Sequence, residues 1–340
     1  MMKRIFLFSA GVLAVLFILF SAAGCRRTGP KREEGKITVT SLIFPSYDFV
    51  RTIAGDRVNL VMLLPPGAES HSFETSPRDI IAIRESDLFI YPGGENAKWV
   101  DKILDSAGIN KDMKVIKLVE LVDAMEDTLV EGMESRDHYH DDEEDGDHGD
   151  HEYDEDHDDH HEETPLLDEH VWTSPRNAKA IVAAITEALC GLDSANAGFF
   201  RQNAADYSRR LDELDAAFRS VVDGAKRKTI VFGDRFPFRY LAYAYGLEYF
   251  AAFPSCSSET EPSASTVAFL INKVKSENIP VIFHMELSNE RMADAISEAT
   301  GAKKLLLHSA HNVSKKDFDS GANYIDLQKA NVVNLKEALW

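Results

Sequence analysis

Strand-like and helix-like runs alternate along this chain in two blocks, and that alternation is what most restricts its fold. In the first block KITVTSLIF is rich in Ile, Val and Thr, SYDFVRTIAG reads as a helix stopped by Gly55, and VNLVMLLP is an apolar strand. SPRDIIAIRESD then offers Ser76 as an N-cap and Pro77 at the first helical position, and DLFIYPG and KVIKLV are further strands. The second block runs KTIVFGD (a strand ending at Gly233), FRYLAYAYGL, LEYFAAF, TVAFLINKVKSEN, IPVIFH, NERMADAISEATG and KKLLLH, and closes with the amphipathic helix YIDLQKANVVNLKEAL. Such a rhythm needs mostly parallel sheets covered by helices on both faces.

Between the blocks, SPRNAKAIVAAITEALCGL is helical, capped by Ser174 and opened by Pro175. A second helical run from about Ala195 to Asp223 is almost free of Gly and Pro until Gly224, long enough to stretch across a domain. The expected fold is α/β: two lobes, each a mostly parallel sheet flanked by helices, joined by a long rigid helix, with a metal site in the cleft between them. The expected bounds are 37–174 for the N-terminal lobe, 175–227 for the helical region and 228–340 for the C-terminal lobe. No internal sequence repeat stands out.

One segment cannot join this fold. DHYHDDEEDGDHGDHEYDEDHDDHHEE, residues 137–163, holds 16 Asp and Glu, no Lys or Arg, and seven of the 12 histidines: His138, His140, His148, His151, His157, His160 and His161. Its low hydrophobicity and high charge cannot offset the entropy of ordering it. It also carries most of the net charge of -20, so the body of the chain is nearly neutral. No basic cluster remains that would favour nucleic acid as a partner. Seven imidazoles on a flexible polyanion suit a weak, multivalent metal collector beside a tighter site.

The N-terminus is not part of the fold either. Lys3 and Arg4 precede an apolar run from Ile5 to about Phe20, and Ser21-Ala22-Ala23-Gly24-Cys25 follows. This is the pattern of an export signal, and its end resembles a bacterial lipobox, which implies a lipid on Cys25, a signal peptide over 1–25 and a solvated tether over 26–36. Of the other cysteines, Cys190 ends an apolar helical run and reads as core, while Cys256 lies in a loop with no assigned role. Three cysteines without a CxxC spacing make no disulfide framework.

Five histidines remain. In open α/β sheets ligands collect beyond the carboxyl ends of strands. His284 closes IPVIFH and His308 closes KKLLLH, His71 follows VNLVMLLP, and His170 precedes the helix capped by Ser174. Four imidazoles at such positions, two from each lobe, point to a transition-metal site. His311 is close enough in sequence to His308 to support or replace it.

GAESHSFETSPRDI, DEHVWTSPRNAKAI and the tail NYIDLQKANVVNLKEAL resemble the metal-binding receptors of bacterial ABC transporters for zinc and manganese, and the chain is similar to their ZnuA-like zinc branch from about Lys36 onward. A His-rich acidic insert before the HVW motif belongs to that resemblance. It implies two lobes, a rigid linking helix, one metal in the cleft, and a membrane permease as partner of a monomeric, lipid-anchored extracytoplasmic protein. Carried over by motif, His71 and His170 are N-lobe ligands, and His308 falls where the family usually has an acid. VFGDRFPFRYL departs from the pattern: Gly233 stands where the family has a His or Glu ligand. His284 is the first choice to fill in, with Asp234 and Glu286 as weaker candidates. Gln328 stands where the family commonly has Met and is read as packing.

An all-imidazole set favours Zn2+ over Mn2+, whose sites usually include carboxylates. The expected function is therefore capture of Zn2+ for uptake. A surface adhesin or metal store of the same fold is the nearest alternative. A zinc hydrolase is a more distant one, because neither HExxH nor GxSxG occurs.

Overall fold

The computed structural model describes residues 33–70, 73–94, 97–106, 110, 112–133, 166–255 and 262–340. Cys25, Cys256, His71 and the seven insert histidines lie outside the described residues. The chain divides into two compact units, 1–35 and 36–340, and all the described strands and helices belong to the second.

Its N-terminal part is a four-stranded sheet of β1 (Thr38–Ser41), β2 (Asn59–Met62), β3 (Leu88–Tyr91) and β4 (Lys114–Lys117), ordered β2-β1-β3-β4 with every neighbouring pair parallel. Helices α1 (Phe44–Ala54), α2 (Pro77–Arg84) and α3 (Lys98–Leu104) make the crossovers. β1 and β3 are buried along their whole length, as strands covered on both faces must be. The expected start of α2 is present in full: Ser76 Oγ accepts from the Asp79 amide, the Asp79 carboxylate accepts from the Ser76 amide, and Pro77 occupies the first turn. At α4 (Pro175–Leu192) Ser174 sits at the N-cap as expected, but its side chain makes no capping hydrogen bond.

The C-terminal part repeats the plan. β5 (Thr229–Arg235), β6 (Glu248–Phe253), β7 (Val281–His284) and β8 (Lys303–Leu306) are ordered β6-β5-β7-β8, again all parallel, with α6 (Arg239–Tyr245), α7 (Ala264–Ser276) and α8 (Arg291–Thr300) between them. The two sheets thus share one topology although no sequence repeat announces it. β8 stops at Leu306, so His308 lies beyond the strand rather than at its end.

Helix α5 (Ala197–Asp223) is the long connector, 27 residues, or about 40 Å at 1.5 Å per residue. Its buried residues Phe200, Ala204, Tyr207, Leu211, Leu214 and Phe218 recur at three and four, one continuous stripe. The start of this stripe serves the N-terminal lobe, where Tyr207 packs edge-on to Phe49 and Asn203 Nδ2 donates to the Ile53 carbonyl. Its end serves the C-terminal lobe, where Phe218 stacks on Tyr245. Helices α9 (Lys315–Asp319) and α10 (Tyr324–Leu339) close the chain.

The core follows from strand alternation. Ile230 and Phe232 of β5 and Val281 and Phe283 of β7 face one large cluster that runs from Val39 to Leu339 through both lobes. Val231 and Ile282 point to the other face, into a smaller cluster with Leu270 and Ile296. One shared core under both lobes makes their relative position a property of packing rather than of the connector alone.

Candidate metal centre

The segment carrying DEHVW is pinned from both sides. Asp127 N–H donates to the Leu166 carbonyl and Asp168 N–H to the Met125 carbonyl, with an isolated antiparallel bridge between Glu126 and Leu167. From the C-terminal lobe, Tyr240 Oη donates to the Asp168 carbonyl. A 3-10 turn, Val171–Thr173, then leads into α4, and Asp168 through Ser174 are all buried.

Within this turn Asp168 holds His170 twice, its Oδ1 lying 2.8 Å from the His170 amide and 2.8 Å from Nδ1. In the neutral imidazole this places the proton on Nδ1, facing the carboxylate, and leaves Nε2 as the donor to a metal. Burial acts to lower the His170 pKa, but the hydrogen bond and charge of Asp168, with the charges of Glu169 and Asp127, outweigh it and hold the group above its ordinary value.

The opposing half is the turn His308–Val313. Here a carboxylate holds backbone instead of a ring: Glu286 accepts from the Ser309 amide at 2.8 Å, Ser309 Oγ at 2.5 Å and the His311 amide at 3.2 Å. Asn331 of α10 accepts from the His308 amide and donates back to its carbonyl, and Gln328 Nε2 donates to the same carbonyl at 3.2 Å. Gln328 is therefore no mere packing residue: its amide ties α10 to the turn. Ala310 adopts φ +61°, a left-handed backbone that this network must impose.

The turn is stitched to the N-terminal lobe. Trp172 Nε1 donates to the Ser309 carbonyl at 2.9 Å, Phe44 N–H to the His311 carbonyl, and Gly67 N–H to the Val313 carbonyl. Asn312 Nδ2 reaches the carbonyls of Pro65 and Ala68, both at 2.8 Å. At the mouth of the cleft Arg235 pairs with Glu69.

These constraints bring Glu169, His170 and His311 together, with ligand atoms of all three within 4.8 Å of one another and all three side chains buried. The rings of His170 and His311 meet edge-on at 5.2 Å, and Trp172 packs against both. A cavity of about 20 Å3 opens beside them, lined by Glu169 and His311 and by Ser70 and Phe73, which flank residues 71–72. That volume suits one water-sized species. A much larger cavity, about 720 Å3, lies elsewhere, between residues 120–125, α4 and α6, and no histidine lines it.

The sequence matches the family described as the periplasmic component A of the zinc-uptake complex, ZnuA, over residues 39–338. The chain belongs to the ZnuA family. It is 31% identical over 336 residues to the zinc-binding lipoprotein AdcA of Streptococcus pneumoniae, covering 99% of this chain and 61% of that protein, so it spans about three fifths of that relative's length. It is also 31% identical over 330 residues to the high-affinity zinc uptake system protein ZnuA of Bacillus subtilis, covering 96% of each. The crystal structure of the Zn(II)-bound ZnuA-like domain of Streptococcus pneumoniae AdcA aligns with a TM-score of 0.68 at 28% identity, covering 90% of this chain and 99% of that one.

Against the ZnuA pattern, the expected ligands separate. His170 lies in the cluster. His308 does not: its Nδ1 accepts the Ala310 amide at 3.0 Å, so that nitrogen is used in shaping the turn that presents His311. His284, the expected replacement for Gly233, is also outside, with Nδ1 at 3.2 Å from the Met285 carbonyl and 3.7 Å from Glu290. Asp234 accepts from the Arg235 and Met285 amides in a separate cavity of about 160 Å3, and burial pushes its carboxyl pKa up. Glu286 supports His311 from behind, through the Ser309 and His311 amides.

Gly233 itself is explained by packing. A Cβ there would fall 2.5 Å from Ala293 Cα and 2.6 Å from Ala293 N, so α8 rests directly on the β5 backbone. No side chain fits, and none can donate from this position. Sequence reasoning missed Glu169, Asp168 and Trp172. The one signal was the run of two acids immediately before HVW, read only as part of a motif.

Proposed function

We propose that this chain is an extracytoplasmic receptor that captures Zn2+ and delivers it to an ABC permease. The observation that carries the reading is the buried cluster at His170 and His311, between two α/β lobes in a chain of the ZnuA family. The names of its relatives, a zinc-binding lipoprotein and a high-affinity zinc uptake protein, agree with it. His170 and His311 hold the ion, with His71 joining them by resemblance of the HSFETSP motif. Zn2+ is cargo, and the residues do three things for it. Asp168 presents His170 with its lone pair on Nε2, Glu286 and Asn331 set the turn that carries His311, and Trp172 ties the two halves together. Residues 137–163 act as a weak collector beside this site, and Cys25 carries the lipid that keeps the monomeric receptor at the membrane.

The test is a zinc titration of the full chain in detergent against a chelating competitor. One tight equivalent is expected, with weaker sites that vanish on deleting 137–163. His170→Ala should weaken the tight site about 1,000-fold, near 4 kcal/mol. A tight site indifferent to both His170→Ala and His311→Ala would reject this reading.

A further inference from the structure

The third member of the cluster is a carboxylate, Glu169. Glu169 is 1% exposed, and among the described residues only Asp48 and Asp168 are acids buried as deeply. A buried carboxylate costs several kcal/mol unless a charge or a set of donors compensates it. Around it, Asp168 holds His170, Glu286 holds the 309–311 amides, Asp234 accepts from the Arg235 and Met285 amides, and Glu69 pairs with Arg235. Glu169 alone among them has an oxygen within 4.8 Å of donor nitrogens on both His170 and His311.

We propose that Glu169 is a metal ligand and that its carboxylate supplies the coordination position that Gly233 cannot. The inference rests on the zinc-receptor reading and deepens it: the cargo is a divalent cation of the zinc type, held by mixed carboxylate and imidazole donors rather than by imidazoles alone. Three observations carry it. The first is distance. Donors at about 2.0–2.2 Å from a tetrahedral ion stand about 3.4 Å apart, so a cluster drawn within 4.8 Å needs only a small contraction.

The second is placement. Glu169 and His311 line the same small cavity of about 20 Å3. Gly94, at φ +76°, lies so close that a Cβ there would meet Glu169 Cβ at 2.9 Å and Oε2 at 3.1 Å. A side chain at position 94 would crowd the carboxylate, and glycine leaves it room. The third is charge. Neutral imidazoles would leave a desolvated ion at its full double charge. The Glu169 carboxylate removes half of it, and the Asp168 carboxylate behind His170 offsets the rest.

The balance of ligands across the cleft then differs from the sequence expectation of two from each lobe. Glu169 and His170 come from one pinned segment, and His311 from a turn that is itself bonded to that lobe.

The test uses the full chain with one equivalent of metal, comparing Glu169→Gln, which keeps shape, and Glu169→Asp, which shortens the reach, with wild type. Zinc affinity should fall by at least about 100-fold in Glu169→Gln, beyond the 10–100-fold range of residues that only support a ligand. Mn2+ should lose more than Zn2+, because the harder ion depends more on carboxylate. The Co2+-loaded protein should change its visible absorption in both variants. Affinity within about threefold of wild type, or weakened affinity with an unchanged Co2+ spectrum and unchanged Zn2+ to Mn2+ ratio, would overturn the proposal. Absence of a tight equivalent in wild type would instead strike the receptor reading beneath it.

Discussion

The two lobes share a strand order, yet they hold their halves of the centre by different means. In the N-terminal lobe a carboxylate grips the ring: Asp168 bonds His170 Nδ1 and so leaves Nε2 with the lone pair. In the C-terminal lobe a carboxylate grips the main chain: Glu286 collects the Ser309 and His311 amides and sets the turn. The strand ends also differ. β5 runs past Gly233, the expected end of the strand, to Arg235, and at Gly233 α8 leaves no room for a side chain. The lesson is that equivalent topology supplies equivalent space but not equivalent ligands. Local packing decides which loop can reach the centre.

That contrast can be broken at its most rigid point first. Gly233→His puts an imidazole where the sequence reading expected a ligand, but it must displace α8, and we expect about 3 kcal/mol of lost stability with no gain in zinc affinity. Denaturant unfolding and zinc competition would measure both, and a tighter site would show that the strand end is available after all. The two carboxylate grips make the sharpest pair. Asp168→Asn should cost about tenfold in affinity with little change in melting temperature, since the amide oxygen can still accept from Nδ1 while the charge is lost. Glu286→Gln should do the reverse, removing about 1–2 kcal/mol of stability as an amide NH2 meets backbone donors, with the smaller loss in affinity. Equal effects of both on affinity would erase the distinction between ring and backbone control. His284→Ala should have the smallest effect, zinc affinity staying within about twofold by the same titration, and a larger loss would return His284 to the ligand set.

The sequence made the layers legible because strands and helices each have a period. The capping of α2 at Ser76, the long α5 and the last helix over Tyr324–Leu339 follow from local rules, and all three are present. His170 was legible for the same reason, standing just before a Pro-opened helix. The C-terminal half of the centre was not. His308 and His311 are three residues apart, and strand-end logic favours the first. What places His311 rather than His308 in the buried cluster is a turn with left-handed Ala310, a side-chain nitrogen spent on an amide, and acceptors brought from 286 and 331. Those are long-range contacts, invisible to periodicity. Gly233 shows the same limit, because its missing side chain reads as a missing ligand until the neighbouring helix is seen.

The bonds from the N-terminal lobe to the turn, Phe44 N–H to the His311 carbonyl and Gly67 N–H to the Val313 carbonyl, run between main-chain atoms, so no side-chain substitution removes them directly. They also make two built-in clocks. Each amide can trade its hydrogen with solvent only when the turn lets go. Their exchange rates therefore time the parting of the turn from the N-terminal lobe, with and without added zinc.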